Sequence, residues 1–124
     1  SSVGLLSAAV LNLNNMRDLE SDKKSNKFTL AGYMGRKNSK VYHFSLILSA
    51  IVLMIVFQSI MSFSYLMLFT WVAFAPLLIH LKIVYSIKNP KLFDPHLKLV
   101  ALSTFAMSLL FASILVIEQL QQLL

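Results

Sequence analysis

The sequence contains no cysteine, which excludes disulfide bonds and thiolate metal sites. Charged residues are also scarce, at 13% of 124 residues, whereas a soluble domain carries roughly a quarter. No Lys, Arg, Asp or Glu occurs within 41–81 or within 99–117. A helix of about 20 apolar residues spans a bilayer, so the first stretch can cross twice and the second once. We therefore expect an all-α, polytopic membrane protein that contacts the lipid bilayer.

The amino end lacks the features of a signal peptide. No basic residue precedes the first apolar run, Val3–Leu13, and no small-residue cleavage site closes it. The run is too short to cross a bilayer, and the chain begins at Ser1 without a methionine. We expect Ser1 to lie partway along a helix, in the carboxy-terminal piece of a larger protein.

Four hydrophobic segments follow one another along the chain. The first is truncated, and the predicted positions are about 1–16, 41–61, 65–87 and 97–120. Residues 62–64 are the only plausible turn between the second and third segments, which predicts a tight helical hairpin. The pairs Asn89-Pro90 and Asp94-Pro95 are turn signals that separate the third segment from the fourth.

The basic residues predict the orientation in the membrane. All eleven Lys and Arg residues fall within 17–40 or 82–98, and none lies within 62–64 or after Ile117. The positive-inside rule places both basic segments in the cytoplasm and the carboxy terminus outside. The number of membrane crossings agrees with this orientation. Two spans separate the basic segments, and a third span follows them. Cations beside hydrophobic spans indicate contact with lipid headgroups, so we expect no binding to nucleic acid.

Residues 12–31 hold three of the five acidic residues and four of the basic ones. Within this segment Asn14, Asp18 and Asp22 are spaced four apart, which places them on one face if the first helix continues. Two carboxylates and an amide oxygen are hard ligands that suit Mg²⁺. Stacked carboxylates repel one another unless a cation lies between them. The surrounding cations favour an anion that also binds metal, such as a diphosphate.

A simpler interpretation of the same segment is a solvated helix. Opposite charges four residues apart are common there, and each pair contributes about a few tenths of a kcal/mol. Ionisable residues are scarce elsewhere in this chain, so the residues alone leave both interpretations open. Glu20 lies off the Asn14–Asp22 face and is expected to be a surface charge, and Lys24 is expected to face headgroups.

The motif "NNMRD" at 14–18, with Asp22 and "KFTLA" at 27–31, resembles the second Asp-rich motif of the UbiA superfamily of intramembrane prenyltransferases. It is most similar to members that act on 1,4-dihydroxy-2-naphthoate in menaquinone synthesis. Residues 92–102 resemble that family's loop before the last helix, with Asp94-Pro95 in place of the usual Asn-Pro. The resemblance implies a nine-helix transmembrane bundle, of which this chain supplies the end of helix six to helix nine.

The resemblance also implies an activity in the bacterial cytoplasmic membrane. A polyprenyl group passes from polyprenyl diphosphate to an aromatic acceptor, dihydroxynaphthoate, in a Mg²⁺-dependent reaction that releases diphosphate and carbon dioxide. Asp18 and Asp22 become the catalytic metal ligands, with Asn14 as a third. The implied diphosphate contacts are Asn15, Arg17, Lys23 and Lys27. The family's first Asp-rich motif is absent, so we expect this chain to be inactive without the amino-terminal half.

Two alternatives remain open. The acceptor could be another aromatic acid, such as 4-hydroxybenzoate. The chain could instead be a non-catalytic membrane subunit whose basic loop binds anionic lipid or a soluble partner. A transporter has little support, because the spans contain almost no ionisable residues.

Four residues inside the spans have structural interpretations. We expect Gln58 to bond to a neighbouring helix and Trp71 to take part in helix packing. Pro76 is expected to kink the third span, and His80 to be a satisfied histidine at the membrane interface.

Overall fold

Every regular element in the described part of the chain, residues 2–60 and 65–123 of a computed structural model, is a helix. The α-helices are α1 (Ser2–Arg17), α2 (Leu19–Lys24), α3 (Leu30–Ile60), α4 (Ala75–Ser86) and α5 (Asp94–Leu123). The 3-10 helices Tyr65–Ala73 and Pro90–Phe93 precede α4 and α5. The predicted turn at 62–64 lies outside the described residues.

Three helical segments are long and apolar enough to cross a membrane: Leu30–Ile60, Tyr65–Ser86 and Pro90–Gln121. Large apolar side chains such as Ile79 and Phe105 are exposed on the outside of the bundle. Helices satisfy their backbone polar groups internally, which a span in lipid requires. The prediction of an all-α polytopic membrane protein is confirmed.

One face of the short helix α1 packs into the bundle, and residues such as Leu11 on its other face are exposed. It contacts both α3 and α5. Its fully buried residues are Leu6, Ala9, Leu13 and Met16. Their spacing of three and four residues gives one apolar stripe along the helix. Because this stripe is packed along its whole length, the polar residues that end α1 are held in fixed positions.

Two helices begin earlier than their apolar segments predicted. The α3 helix starts at Leu30 rather than near residue 41, and α5 starts at Asp94 rather than near residue 97. Helical hydrogen bonds need only backbone groups, so charged residues can continue a helix beyond the apolar region. Both extensions bring charged side chains onto rigid helical turns.

The α3 helix is broken near its beginning by Gly35. This residue has φ of 75° and ψ of 163°, between a short turn at 30–34 and a long helix at 36–60. A side chain is strained at this φ, although nothing lies within 4 Å of the position that a Cβ would take. The break lets the polar turn leave the axis of the span.

Polar side chains connect the second and third spans near the end of α3. Gln58 Nε2 donates to the Met67 carbonyl and to Thr70 Oγ1, each at 3.2 Å. Trp71 Nε1 donates to Gln58 Oε1 at 2.8 Å. The interhelical role predicted for Gln58 is confirmed, and Trp71 joins the same network. Pro76 lies in the first turn of α4, directly after the change from 3-10 to α-helix.

All three histidines of the sequence form one chain across α3, α4 and α5, here called the histidine chain. His43 Nε2 lies 2.8 Å from His80 Nε2, and His80 Nδ1 lies 3.1 Å from His96 Nδ1. His43 and His80 are fully buried. The prediction that His80 is a satisfied histidine is confirmed, and its position at the membrane interface stays a prediction. His80 can be buried because α3 and α5 each supply a partner for one of its ring nitrogens.

Candidate functional site

The two basic segments, 17–40 and 82–98, meet at one end of the bundle, here called the charged end. Lys40 of α3 donates to the carbonyls of Tyr85 and Ile87, at 2.8 and 2.6 Å. These carbonyls lie where α4 ends and leaves acceptors without helical partners. The contact holds α3 against the end of α4 at the charged end.

Arg17, the last residue of α1, is the centre of this end. Its Nε and Nη2 donate to the two carboxylate oxygens of Asp18, at 2.7 and 2.8 Å. Nη2 also donates to Asn14 Oδ1 at 2.8 Å. Nη1 donates to Asp94 Oδ1 at 3.0 Å. A guanidinium matches carboxylates in this forked manner, and here one cation joins two predicted metal ligands to a carboxylate from α5.

The backbone bends at Asp18, which has φ of −89° and ψ of 4° between α1 and α2. Its N–H still donates to the Asn14 carbonyl at 3.0 Å. Its own carbonyl accepts from the Asp22 N–H at 2.8 Å. Helical hydrogen bonds between residues four apart therefore continue through the bend and link Asn14, Asp18 and Asp22.

The ion pair changes the ionisation of both partners. The hydrogen bonds from Arg17 lower the pKa of Asp18 below its usual value, although burial opposes the shift. The hydrogen bonds to Asp18 and then to Asp94 raise the pKa of Arg17. Each side chain of the Arg17–Asp18 pair is 30% exposed, so water screens the interaction. The carboxylate of Asp18 is therefore ionised at neutral pH.

Asp22 forms a second and more buried part of the site. Its side chain is 9% exposed, and Oδ1 accepts from Lys27 Nζ at 3.2 Å. The chain reverses between these residues through Asn26, whose φ of 52° lies in the left-handed region that Asn tolerates. This turn lets the Lys27 N–H donate to the Asp22 carbonyl at 2.8 Å. The local sequence thus brings an ammonium group onto the carboxylate.

The other carboxylate oxygen of Asp22, Oδ2, is buried and accepts no hydrogen bond from the described residues. A buried polar atom without a partner is unfavourable, and a bound cation removes that penalty. The oxygens of Asn14 and Asp18 are further donors of the type that Mg²⁺ prefers, and Arg17 occupies them in this structure. No three acidic, His or Cys side chains within 2–60 and 65–123 form a metal-binding group. These residues fit Mg²⁺ provided that further ligands come from a diphosphate or another part of the protein.

Of the remaining predicted residues, Asn15 lies within the NNMRD motif, and Lys23 and Lys27 follow it. Lys23 and Lys27 line a cavity of about 480 Å³, together with the exposed rings of Phe28 and Tyr33. Asn15 is half-buried, and its side chain makes no hydrogen bond to the part of the chain that the structure describes. The structure therefore brings Asn14, Arg17 and Asp18 into direct contact and places the two lysines beside an open cavity.

Asp94 also contacts this site, and the sequence did not predict that contact. It lies 77 residues after Arg17, so no local spacing connects the two. The one indication in the sequence is that Asp94 stands where the family that the chain resembles usually has asparagine. Only the packing of the start of α5 against α1 shows that this carboxylate reaches the motif.

Comparisons with known proteins agree with these features. Residues 2–95 match the UbiA prenyltransferase family. A 1,4-dihydroxy-2-naphthoate octaprenyltransferase of Haemophilus influenzae is 33% identical over 109 residues, which cover 88% of this chain and 35% of that protein. The protein of the same description from Escherichia coli is 40% identical over 58 residues, which cover 47% of this chain and 19% of that protein. No solved structure matches significantly. The chain spans at most about a third of the length of these relatives.

Proposed function

This chain belongs to the UbiA prenyltransferase family, and on that basis we propose that its protein transfers a polyprenyl group from polyprenyl diphosphate to 1,4-dihydroxy-2-naphthoate. The reaction belongs to menaquinone synthesis and releases diphosphate and carbon dioxide. The description of both relatives supports this choice of acceptor. The observation that carries the proposal is the set of oxygen donors and cations gathered at the charged end.

The residues of this chain take separate roles in the proposed reaction. Asn14, Asp18 and Asp22 hold Mg²⁺, which when bound supplies a Lewis acid for the departing diphosphate. The side chains that bind the diphosphate oxygens are Asn15, Arg17, Lys23 and Lys27. Cations aimed at a leaving group stabilise the charge that develops on it in the transition state.

The remainder of the bundle protects the substrate. Loss of diphosphate leaves an allylic carbocation, which water would quench. The ring carbon that bears the acceptor's carboxylate attacks this cation, and carbon dioxide leaves as its bonding electrons return to the ring. The apolar spans next to the charged end provide the water-poor environment that this step needs.

We also propose an orientation for the multi-pass protein. The charged end faces the cytoplasm of a bacterial cell, and the carboxy terminus lies outside the cytoplasmic membrane. This placement is supported by the contact between the two basic segments, because both must then lie on the same side. The chain supplies the end of helix six to helix nine, and the first Asp-rich motif, from the amino-terminal half, completes the metal site.

Asp18→Asn in the whole protein tests the function. We expect prenyl transfer to fall about a hundredfold or more, because the metal loses an ionised ligand. Glu20→Gln is the matched control, since it removes one exposed negative charge from the same segment, and we expect it to retain activity. A non-catalytic lipid-binding subunit would give a different result. The parent protein would then show no prenyl transfer, and Asp18→Asn would bind anionic vesicles as well as the parent or more strongly. Full transfer in Asp18→Asn would contradict the proposal.

The acceptor is tested separately by offering the whole protein dihydroxynaphthoate or 4-hydroxybenzoate with the same polyprenyl diphosphate. We expect turnover with the naphthoate. Turnover with hydroxybenzoate alone would retain the metal chemistry and overturn the acceptor assignment.

A further inference from the structure

Asp94 reaches the candidate site from a packed part of the backbone. It follows the 3-10 helix Pro90–Phe93, which contacts α1 and whose Phe93 is fully buried. Asn89 Oδ1 accepts from the Lys91 N–H at 3.1 Å and begins this turn. The turn and the buried ring hold the carboxylate of Asp94 opposite the end of α1.

The guanidinium of Arg17 uses two different edges. Its Nε and Nη2 edge binds Asp18 and Asn14, the same oxygens that the proposed function assigns to the metal. Its Nη1 binds Asp94. When the first edge loses its partners to a divalent cation, Asp94 is the remaining acceptor of Arg17 among the described residues.

We propose that Asp94 is a positioning residue for the diphosphate. It anchors Arg17 through Nη1, and the free Nε and Nη2 edge then binds diphosphate oxygens while Asn14 and Asp18 hold the metal. A guanidinium binds phosphate and carboxylate oxygens with the same forked geometry, so the edge that leaves Asp18 is suited to the incoming anion. This inference rests on the proposed function and adds a residue from the loop before α5 to its site.

The expected effect is modest because the pair is accessible to water. The side chains of Arg17 and Asp94 are 30% and 57% exposed. Exposed ion pairs contribute little by themselves. We therefore expect Asp94→Asn to weaken diphosphate binding by about threefold to fivefold, within the range of such pairs.

The test is a double-mutant cycle in the whole protein, reconstituted in nanodiscs. Inorganic pyrophosphate with Mn²⁺ serves as the probe, and its affinity is measured by calorimetry in the parent, Asp94→Asn, Arg17→Gln and the double variant. A residue that acts through Arg17 must lose its effect when Arg17 is absent. We expect the threefold to fivefold loss in the parent background and less than about 1.5-fold in the Arg17→Gln background.

Two further variants show whether the effect of Asp94→Asn depends on the place of the carboxylate, on the net charge or on folding. Glu20→Gln removes the same charge at the same end from a residue 3.7 Å from Arg36, and we expect it to change the affinity by less than about 1.5-fold. Asp94→Glu keeps the carboxylate and should recover most of the affinity lost in Asp94→Asn. In prenyl transfer, Asp94→Asn should raise KM for polyprenyl diphosphate more than it lowers kcat.

The outcomes distinguish this inference from the proposed function. Equal losses in both backgrounds, no loss in Asp94→Asn, or no recovery in Asp94→Glu would each overturn the role of Asp94. If the parent protein fails to bind pyrophosphate with Mn²⁺, both this inference and the proposed function fail.

Discussion

The charged end and the histidine chain are clusters of polar side chains that are built in opposite ways. At the charged end, Asp18 and Asp22 pair with cations one and five residues away in the sequence. In the histidine chain the partners are 37 and 16 residues apart and come from three helices. The first cluster is ionic and partly exposed, whereas the second joins imidazole rings and is largely buried.

This difference follows from where each cluster lies. Ionised groups retain water at the end of a helix, so local pairs of opposite charge are tolerated there. Inside a span lipid supplies no hydrogen-bond partner, so buried polar groups are favoured where another helix supplies one. We therefore expect the charged end to determine catalysis and the histidine chain to determine the stability of the bundle.

The largest effect should come from Asp22→Asn at the charged end. This change removes the charge of a buried oxygen that accepts no hydrogen bond from the described residues, and we expect prenyl transfer to fall about a hundredfold to a thousandfold. Thermal unfolding should stay close to the parent value. The assay is transfer of a labelled prenyl group by the whole protein, and activity within tenfold of the parent would contradict the assigned role.

A substitution in the histidine chain should lower the stability of the protein and leave its activity unchanged. His80→Leu leaves His43 Nε2 and His96 Nδ1 without partners, and we expect the free energy of unfolding to fall by about 1–2 kcal/mol. Activity per folded molecule should be unchanged. The control is Ile79→Leu, an exposed neighbour on the same helix. Unfolding of the two variants is measured in mixed micelles. A His80→Leu variant as stable as Ile79→Leu would contradict the role of the histidine chain in stability.

A smaller effect concerns competition within the charged end. Because Arg17 occupies the oxygens of Asn14 and Asp18, Arg17→Gln should increase Mn²⁺ affinity in the absence of diphosphate by about threefold to tenfold. Lys24→Gln removes the same charge from an exposed residue and controls for the change in net charge. Electron paramagnetic resonance measures free Mn²⁺, and identical affinities in the two variants would show that Arg17 does not compete.

The smallest expected effect is a dependence on pH. The folded-state pKa of Asp18 lies below its usual value of 3.8 because of Arg17. The stabilisation is therefore fully present above 3.8 and is lost as the pH falls through the lower, folded-state pKa. In Arg17→Gln this contribution is absent, so the stability difference from the parent should shrink over that acidic range. Carbon NMR of labelled aspartate follows the titration, and an unchanged Asp18 titration in Arg17→Gln would contradict this assignment.

The sequence was informative wherever a property depends on near neighbours. Apolar runs predicted the three spans because hydropathy is local, and the NNMRD motif indicated Arg17 and Asp18 together. It could not indicate the partners of His80 or the contact between Arg17 and Asp94. Both depend on how helices from distant parts of the chain pack, which no spacing within one segment encodes. The early start of α3 was missed for a related reason, because charged residues stop an apolar run without stopping a helix.

The break at Gly35 determines where the turn at 30–34 lies relative to the span that follows it. It interrupts the helix just before the residues that hold α3 in the bundle, including Ser39, whose carbonyl accepts from Asn12 at 2.8 Å. The φ and ψ of Gly35 therefore set the direction in which the turn at 30–34 leaves the span at 36–60. They also set the place of the Tyr33 ring, which lines the cavity beside Lys23 and Lys27.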